Sequence, residues 1–389
     1  MRILMVSHGY PPTISGVTLV VQKLAQAMAR RGHSVTVVAS SHRYKPCQTT
    51  DEGVRLIRIR SIHNPFWHEG PVPAAYPGVL DTLAAEMQPD IIHAHEAAAL
   101  GAQALRLKER LHLPTIATCY FVPHFVGRTL STGEQSTLVT EMIERIAWRY
   151  SVSFFNRFDR VVFGTEAHRR SFQANGLVVP TAIITNGVDT IRYHPLDGQA
   201  DVQEREQRYN LPPRPRILFV SRLMRDKEID VLIRAMPIVC AEIPAHLLIV
   251  GRGQDQPRLE RIRAELGLED WVHFLNFVPE EDLPAIYRAS DLFAIASTCE
   301  VQSIPTLQAA ATALPVVAAD AVALPEAVAD GQSGILVQPH DPEGTAQAIL
   351  SILRDPERAA RMGRAGLMLA QPHANERMFD LYEELYLEH

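Results

Sequence analysis

At 389 residues the chain is too long for one ordinary core, and its size favours two domains. With 47% hydrophobic and 21% charged residues it is neither disordered nor fibrous, and no apolar run approaches the ~20 residues of a membrane span. The net charge of −6 hides an asymmetry, since residues 1–190 carry 19 Lys and Arg against 14 Asp and Glu and the rest carry 19 against 30. A basic first half could meet an anionic acceptor or membrane surface, although two domains of one chain often differ this much.

The chain opens on RILMVS (2–7), a near-continuous apolar strand; the His, Gly and two prolines that follow mark a loop rather than a signal peptide. The loop GYPPTISG (9–16) leads into a helix whose Val17, Val20, Val21, Leu24, Ala25 and Met28 recur on one face, with Gly32 as its stop. SVTVVAS (34–40), VRLIRIR (54–60), DIIHAH (90–95), TIATCYF (115–121), RVVFG (160–164) and TAIIT (181–185) read as further short strands, most of them separated by helical stretches. Polar and proline residues then interrupt the pattern, so 191–213 reads as a linker after an N-terminal domain over 1–190. The alternation restarts at RILFVS (216–221) and continues through HLLIV (246–250), WVHFLNF (271–277), DLFAIAS (291–297) and PVVAA (315–319), giving a C-terminal domain over 214–372. An amphipathic helical tail follows, of which 373–389 is expected to pack back toward the first domain. Buried runs separated by helices imply parallel sheets covered on both faces. The fold class is therefore α/β, with two doubly wound Rossmann-like domains facing across a cleft and ligands outside the strand carboxyl ends.

Four stretches carry chemistry. SRLMRDKE (221–228) puts Arg222 and Lys227 in a strand-to-helix turn, where two fixed cations could offset the charge of a leaving diphosphate; a solvated basic turn is the plainer explanation. IVGRGQDQ (249–256) is a glycine turn after another strand, with Gly251 and Gly253 allowing close backbone approach. In Asp291–Glu326, Glu300 follows a buried strand, and Ser303 and Pro305 stand where the next helix begins. A carboxylate for hydroxyls and the backbone N–H groups of Gln302, Ser303 and Ile304 for phosphate would thus converge. Gly16 lies at the start of the first helix and could meet phosphates from the other domain. The sequence has neither the G-x-G-x-x-G dinucleotide fingerprint nor the G-x-x-x-x-G-K-[ST] loop at these turns, which counts against a simple NAD enzyme and a P-loop NTPase.

The stretches HGYPPTISGV, GHSVTVV, DIIHAH, ITNGVD (184–189), SRLMRDKEIDVLIRA, LLIVGRG, ASDLFAIAS, CEVQSIPTLQAAATALPVVA and DGQSGILV occur in an order and spacing that resemble the retaining glycosyltransferases of family 4 along the whole chain. The resemblance implies the GT-B architecture and transfer of a sugar from a nucleotide donor, of the UDP or GDP type, to an acceptor hydroxyl with retention at the anomeric carbon. It implies that Arg222 and Lys227 grip the diphosphate, that Glu300 meets the donor sugar and that Gln308 meets the ribose. It implies no metal and no cofactor. Same-face attack, with the departing phosphate taking the acceptor's proton, would need cations and orientation more than a nucleophile. The chain departs from the family pattern at several positions. Gln308 replaces a Glu, Ser303 and Ala313 stand where glycines are usual, and Glu228 follows Lys227 where glycine is usual. Tyr120 stands where a histidine is frequent, with His124 four places on.

His93 and His95 alternate on one strand and share a face, a strand-end polar pair near the ligand edge rather than two ligands of a metal that lacks a third. His95 and His124 are acceptor-side candidates, and Tyr120 could hydrogen-bond the donor sugar. The stretch 141–160 mixes Arg145, Arg149, Arg157 and Arg160 with Trp148, Tyr150, Phe154, Phe155 and Phe158. It could rest on anionic lipid or pack its aromatic face on the sheet. Phe66 and Trp67 in NPFWHEG (64–70) could extend such a surface. Four scattered cysteines read as reduced thiols of a cytoplasmic protein, at most peripheral to the inner face of a membrane. The partners implied are a nucleotide-sugar donor and a glycan or lipid acceptor, with no nucleic acid. A weakened or non-catalytic sugar-nucleotide-binding relative is the alternative, and a nucleotide-sugar epimerase ranks last for want of an acid–base arrangement.

Overall fold

In the computed structural model of the chain, the described residues are 1–13, 15–62, 71–74, 78–123, 137–195 and 199–388. Contacts divide the chain into unit 1, Met1–Asn186 with Glu376–His389, and unit 2, Gly187–Asn375. Unit 1 holds β1 (Arg2–Val6), β2 (Ser34–Ser40), β3 (Cys47–Asp51), β4 (Val54–Ile59), β5 (Ser61–Ile62), β6 (Val72–Pro73), β7 (Ile91–Ala94), β8 (Thr115–Cys119), β9 (Arg160–Phe163) and β10 (Thr181–Ile183). Eight of them form a sheet in the order β10-β9-β8-β7-β1-β2-β4-β3, and β5 and β6 form a separate ribbon. All pairs in the large sheet are parallel except β3 with β4. Ile3 to Val6 and Ile91 to Ala94 are fully buried, as central parallel strands covered on both faces must be. The chain leaves β1 toward β2 on one side and takes up β7 on the other, so the winding reverses between β1 and β7.

The helix Gly16–Arg30 buries Val20, Val21, Leu24, Ala25 and Met28, and its start is fixed by a capping box between Ser15 and Thr18. In the helix Thr137–Phe155 and the turn after it, Phe154, Phe155 and Phe158 are buried and Trp148 packs on the same core, whereas Met142, Ile146 and Tyr150 remain exposed. The aromatic residues are thus split between the core and the surface.

Unit 2 holds β11 (Arg216–Val220), β12 (His246–Val250), β13 (Val272–Asn276), β14 (Leu292–Ile295), β15 (Val316–Ala319) and β16 (Gly334–Val337) in an all-parallel sheet ordered β13-β12-β11-β14-β15-β16. Here the winding reverses between β11 and β14. The segment 191–213 is no free linker, because it carries the helix Gln199–Arg208 and is held on unit 2. Asp282, with no exposed side-chain area, binds Arg205 Nε at 2.8 Å and the Tyr209 hydroxyl at 2.6 Å, and Arg216 pairs with Glu206. The helix Asn375–Leu387 belongs to unit 1 from Glu376 onward. Its buried face is Met378, Phe379, Tyr382, Leu385 and Tyr386, and Arg31 clamps its outer side through Asp380 at 2.6 Å and Glu383 at 2.7 Å.

Candidate active site

In open α/β sheets, ligands bind beyond the strand carboxyl ends where the winding reverses. In unit 2 that point is flanked by the exits of β11 and β14, which carry Arg222, Lys227 and Glu300. Lys227 ends a short turn, Arg225–Lys227, and is only 8% exposed. Its Nζ lies 2.9 Å from Glu300 Oε1 and 3.1 Å from Asp226 Oδ2. Burial opposes the ammonium charge, yet Glu300 and Asp226 hold it above the usual lysine range, so the cation persists at neutral pH. A buried cation next to a carboxylate at a sheet's switch point can receive a phosphate oxygen on one side and a sugar hydroxyl on the other.

The turn that bears Arg222 is set by glycines in the loop that follows the neighbouring strand, β12. A Cβ on Gly251, at φ +136°, would fall 1.8 Å from the Ser221 carbonyl oxygen, and one on Gly253 would fall 2.1 Å from that of Leu223. The close approach these glycines permit is therefore between two loops of the protein, tied further by the Leu223 N–H to the Arg252 carbonyl. Ser303 caps the helix Ile304–Ala311, its Oγ accepting from the Thr306 N–H at 3.3 Å, with Pro305 in the first turn. Gln302 and Ile304 flank that cap, so the backbone of 302–304 forms the helix entry beside Glu300. One turn on, the Gln308 amide oxygen accepts from the Tyr287 hydroxyl at 3.0 Å.

In unit 1 the switch point lies between the exits of β1 and β7, which carry His8 and His95, and Tyr120 follows at the exit of β8. His8 is exposed and His95 is 2% exposed. His95 Nδ1 lies 3.0 Å from the Tyr120 hydroxyl, and its ring lies 3.8 Å from that of His93. Burial, with help from His8, lowers the His95 pKa to about 3, and burial drives His93 well below its usual value, so both imidazoles are neutral. His93 bonds the Tyr386 hydroxyl at 2.6 Å through Nδ1 and the Thr118 hydroxyl at 2.7 Å through Nε2; Tyr382 reaches Thr118 at 3.0 Å. Gly16 is exposed at the first position of its helix. The sequence singled out Tyr120 and His95 but not His8, Tyr382 or Tyr386. The signal for His8 was its place directly after the first apolar strand. His124, Phe66 and Trp67 lie outside the described residues. No group of three or more metal-ligating side chains is present among the described residues.

The family described as "Glycosyl transferases group 1" matches residues 201–367, and that described as "Glycosyltransferase Family 4" matches residues 14–192. The chain belongs to glycosyltransferase family 4. Among its relatives is the GDP-mannose-dependent alpha-(1-6)-phosphatidylinositol monomannoside mannosyltransferase of Mycolicibacterium smegmatis, 33% identical over 55% of this chain and 56% of that protein. The enzyme of the same description from Mycobacterium tuberculosis is 28% identical over 94% and 92%. The D-inositol 3-phosphate glycosyltransferase of Salinispora tropica is 32% identical over 77% and 65%. The match thus spans little more than half of the first of these relatives and just under two thirds of the last. The fold matches sucrose-phosphate synthase from Thermosynechococcus elongatus over 100% of this chain and 98% of that one, with TM-score 0.81 and 23% identity. It also matches HepE of Anabaena, solved in complex with UDP, over the full length of both chains, with TM-score 0.79 and 21% identity. These are GT-B glycosyltransferases with two Rossmann-like domains.

Within this family the departures acquire physical reasons. Glu228 sits at φ +49° and Ala313 at φ +57°, the left-handed region that favours glycine, so both residues carry backbone strain. Glu228 uses its side chain: the carboxylate accepts from the Thr298 hydroxyl, on the loop that leads to Glu300, and lies 2.6 Å from His340 Nδ1. Ser303, at φ −93°, needs no glycine and contributes the cap.

Proposed function

We propose that this chain transfers a sugar from a GDP- or UDP-linked donor to a hydroxyl of a glycan or lipid acceptor, with retention and without a metal. The observation that carries this reading is the buried Lys227–Glu300 pair at the switch point of unit 2, with Arg222 on the same β11 exit as Lys227. Unit 2 binds the donor. Lys227 and Arg222 take the diphosphate, whose charge grows as the bond to the sugar breaks, and so favour the transition state over the bound donor. The helix entry at 302–304 adds backbone donors to the same phosphates. Glu300 orients the sugar, and Gln308 meets the ribose. The departing phosphate oxygen takes the acceptor's proton, so no protein nucleophile is required. Unit 1 supplies the acceptor side through His95, with His124 a further candidate, while Gly16 serves the donor's phosphates and Tyr120 a hydroxyl of its sugar.

The named relatives act on phosphatidylinositol monomannoside and D-inositol 3-phosphate, so an inositol-bearing acceptor is the first to try. A lipid acceptor would be met peripherally and on the cytoplasmic side by the exposed Met142, Ile146 and Tyr150 with Arg145 and Arg149. No described helix is long and apolar enough to cross a membrane. The test is incubation with GDP-mannose or UDP-glucose and either acceptor in EDTA, with the product's anomeric configuration read by NMR. Retained configuration with chelator present supports the proposal. Inversion, or activity that returns only with a divalent metal, would remove that part of it. The weakened-relative reading rests on Tyr120, Ser303 and Gln308, the last with its amide oxygen engaged by Tyr287. It predicts donor binding with no turnover on any acceptor.

A further inference from the structure

Among the described residues, His95 is the one imidazole at the unit 1 switch point that is both locked in place and incomplete. Its Nδ1 is engaged by Tyr120, and its ring lies against His93, which Tyr386 and Thr118 hold from both nitrogens. Its Nε2 is buried with no hydrogen-bond partner among the described residues. A buried, unpaired ring nitrogen costs free energy that a bound group could restore. His95 stands at the exit of β7, next to the exit of β1 that carries His8, on the carboxyl edge where ligands of such sheets bind.

We infer that His95 Nε2 receives a hydroxyl of the sugar or polyol substrate, with Tyr120, His93 and Tyr386 as positioning residues that hold the ring for it. This deepens the transferase reading and rests on it. The chemistry selects a hydroxyl. The ring is neutral, so it offers no charge to a phosphate or carboxylate, whereas a hydroxyl both donates and accepts and fits either tautomer. The C-terminal helix acquires a role as well, since its Tyr386 hydroxyl fixes His93 beneath the ring.

The test uses the full chain labelled with ¹⁵N-histidine, the His95 signals being assigned by their loss in His95→Gln. Titration with myo-inositol and with D-mannose should move the His95 Nε2 resonance saturably. GDP alone should leave it in place while binding normally by calorimetry. Tyr120→Phe should change the His95 tautomer signature in the folded protein, which a merely space-filling tyrosine would not do. In turnover, His95→Ala should lose about tenfold through one neutral hydrogen bond, and His95→Gln, whose amide nitrogen reaches a similar place, should recover most of it. A hydroxyl of the donor sugar would narrow the affinity gap between GDP-mannose and GDP in His95→Ala; a hydroxyl of the acceptor would raise the acceptor KM alone. Either pattern supports the assignment. An Nε2 resonance unmoved by both polyols, or turnover of folded His95→Gln no better than His95→Ala, overturns it. Failure of GDP and UDP to bind would refute the transferase reading instead, and the polyol titration would still decide His95.

Discussion

Replacing Lys227 with Met removes the cation that Glu300 and Asp226 face and keeps most of the side chain's volume. The Lys227 and Glu300 side chains are 11% and 12% exposed, so their 2.9 Å contact is poorly screened by water. Removing one partner of a buried pair costs about 3–5 kcal/mol, because the other charge is left without compensation. Asp226 is 32% exposed and can rehydrate, which places the expected loss at the low end, about 3 kcal/mol. At about 2–4 °C per kcal/mol for a unit of this size, the unit 2 transition should fall by roughly 6–12 °C. The pH dependence has a defined sign. The lysine is held above its ordinary value despite burial, so its contribution is fully present below the unfolded lysine pKa of about 10.4 and is lost only at more alkaline pH. Urea denaturation of wild type and Lys227→Met should therefore give the same difference at pH 6 and pH 8. Adding Glu300→Gln to the variant should recover part of the loss, since no carboxylate is then left unpaired. A single variant within 0.5 kcal/mol of wild type by the usual resolution of such measurements, or a deficit that vanishes at pH 6, would refute the argument.

Other outcomes follow from the same contacts. Gly251→Ala would force a Cβ into the Ser221 carbonyl, and should weaken GDP and UDP binding tenfold or more by displacing the turn that carries Arg222; calorimetry with circular dichroism separates this from unfolding. In unit 1, buried neutral His93 and His95 have depressed pKa values, so each should remove about 1.4 kcal/mol of stability per pH unit as pH falls below about 6.5. Glu96 acts oppositely, since burial pushes its carboxyl up to about 7 and the folded state then holds a proton that the unfolded state loses. Thermal melts from pH 7 to 5 should show unit 1 weakening with acid, and Glu96→Gln should steepen that slope. Ala313→Gly relieves a left-handed backbone at φ +57° and should raise stability by about 0.5–1 kcal/mol in urea titrations. Gln308→Glu should raise turnover if an amide weakens the ribose contact, and unchanged kcat/KM would make it a neutral variant.

The parts of the fold that declare themselves in sequence are those whose partner is the core. β1, β7, β11 and β14 are apolar runs with a turn at each end, and the order of turns and helices between them is enough to expect two parallel sheets. Contacts made by polar residues far apart in the chain are not legible in this way. The Gln199–Arg208 helix reads as linker because nothing local shows that Arg205 and Tyr209 will meet Asp282. β3, CQTTD, has no apolar alternation and exists because it pairs antiparallel with β4 at an exposed edge. At the site, Arg222, Lys227 and Glu300 are visible because each follows a strand, whereas the salt bridge between Lys227 and Glu300 depends on β11 and β14 being neighbours. The His93–Tyr386 contact joins residues 293 positions apart and leaves no trace in the sequence. Glu228 and Ala313 look like losses of glycine until the backbone shows that both positions are left-handed.

If unit 2 is a metal-independent site for a nucleotide-sugar donor, calorimetric titration of the full chain with GDP and with UDP, each in EDTA, will show it. At least one nucleotide should bind saturably in the presence of the chelator, and Lys227→Met and Gly251→Ala should each weaken that binding tenfold or more. Binding of neither nucleotide to the folded wild-type chain, or wild-type affinity in both variants, would mean that unit 2 is not that site.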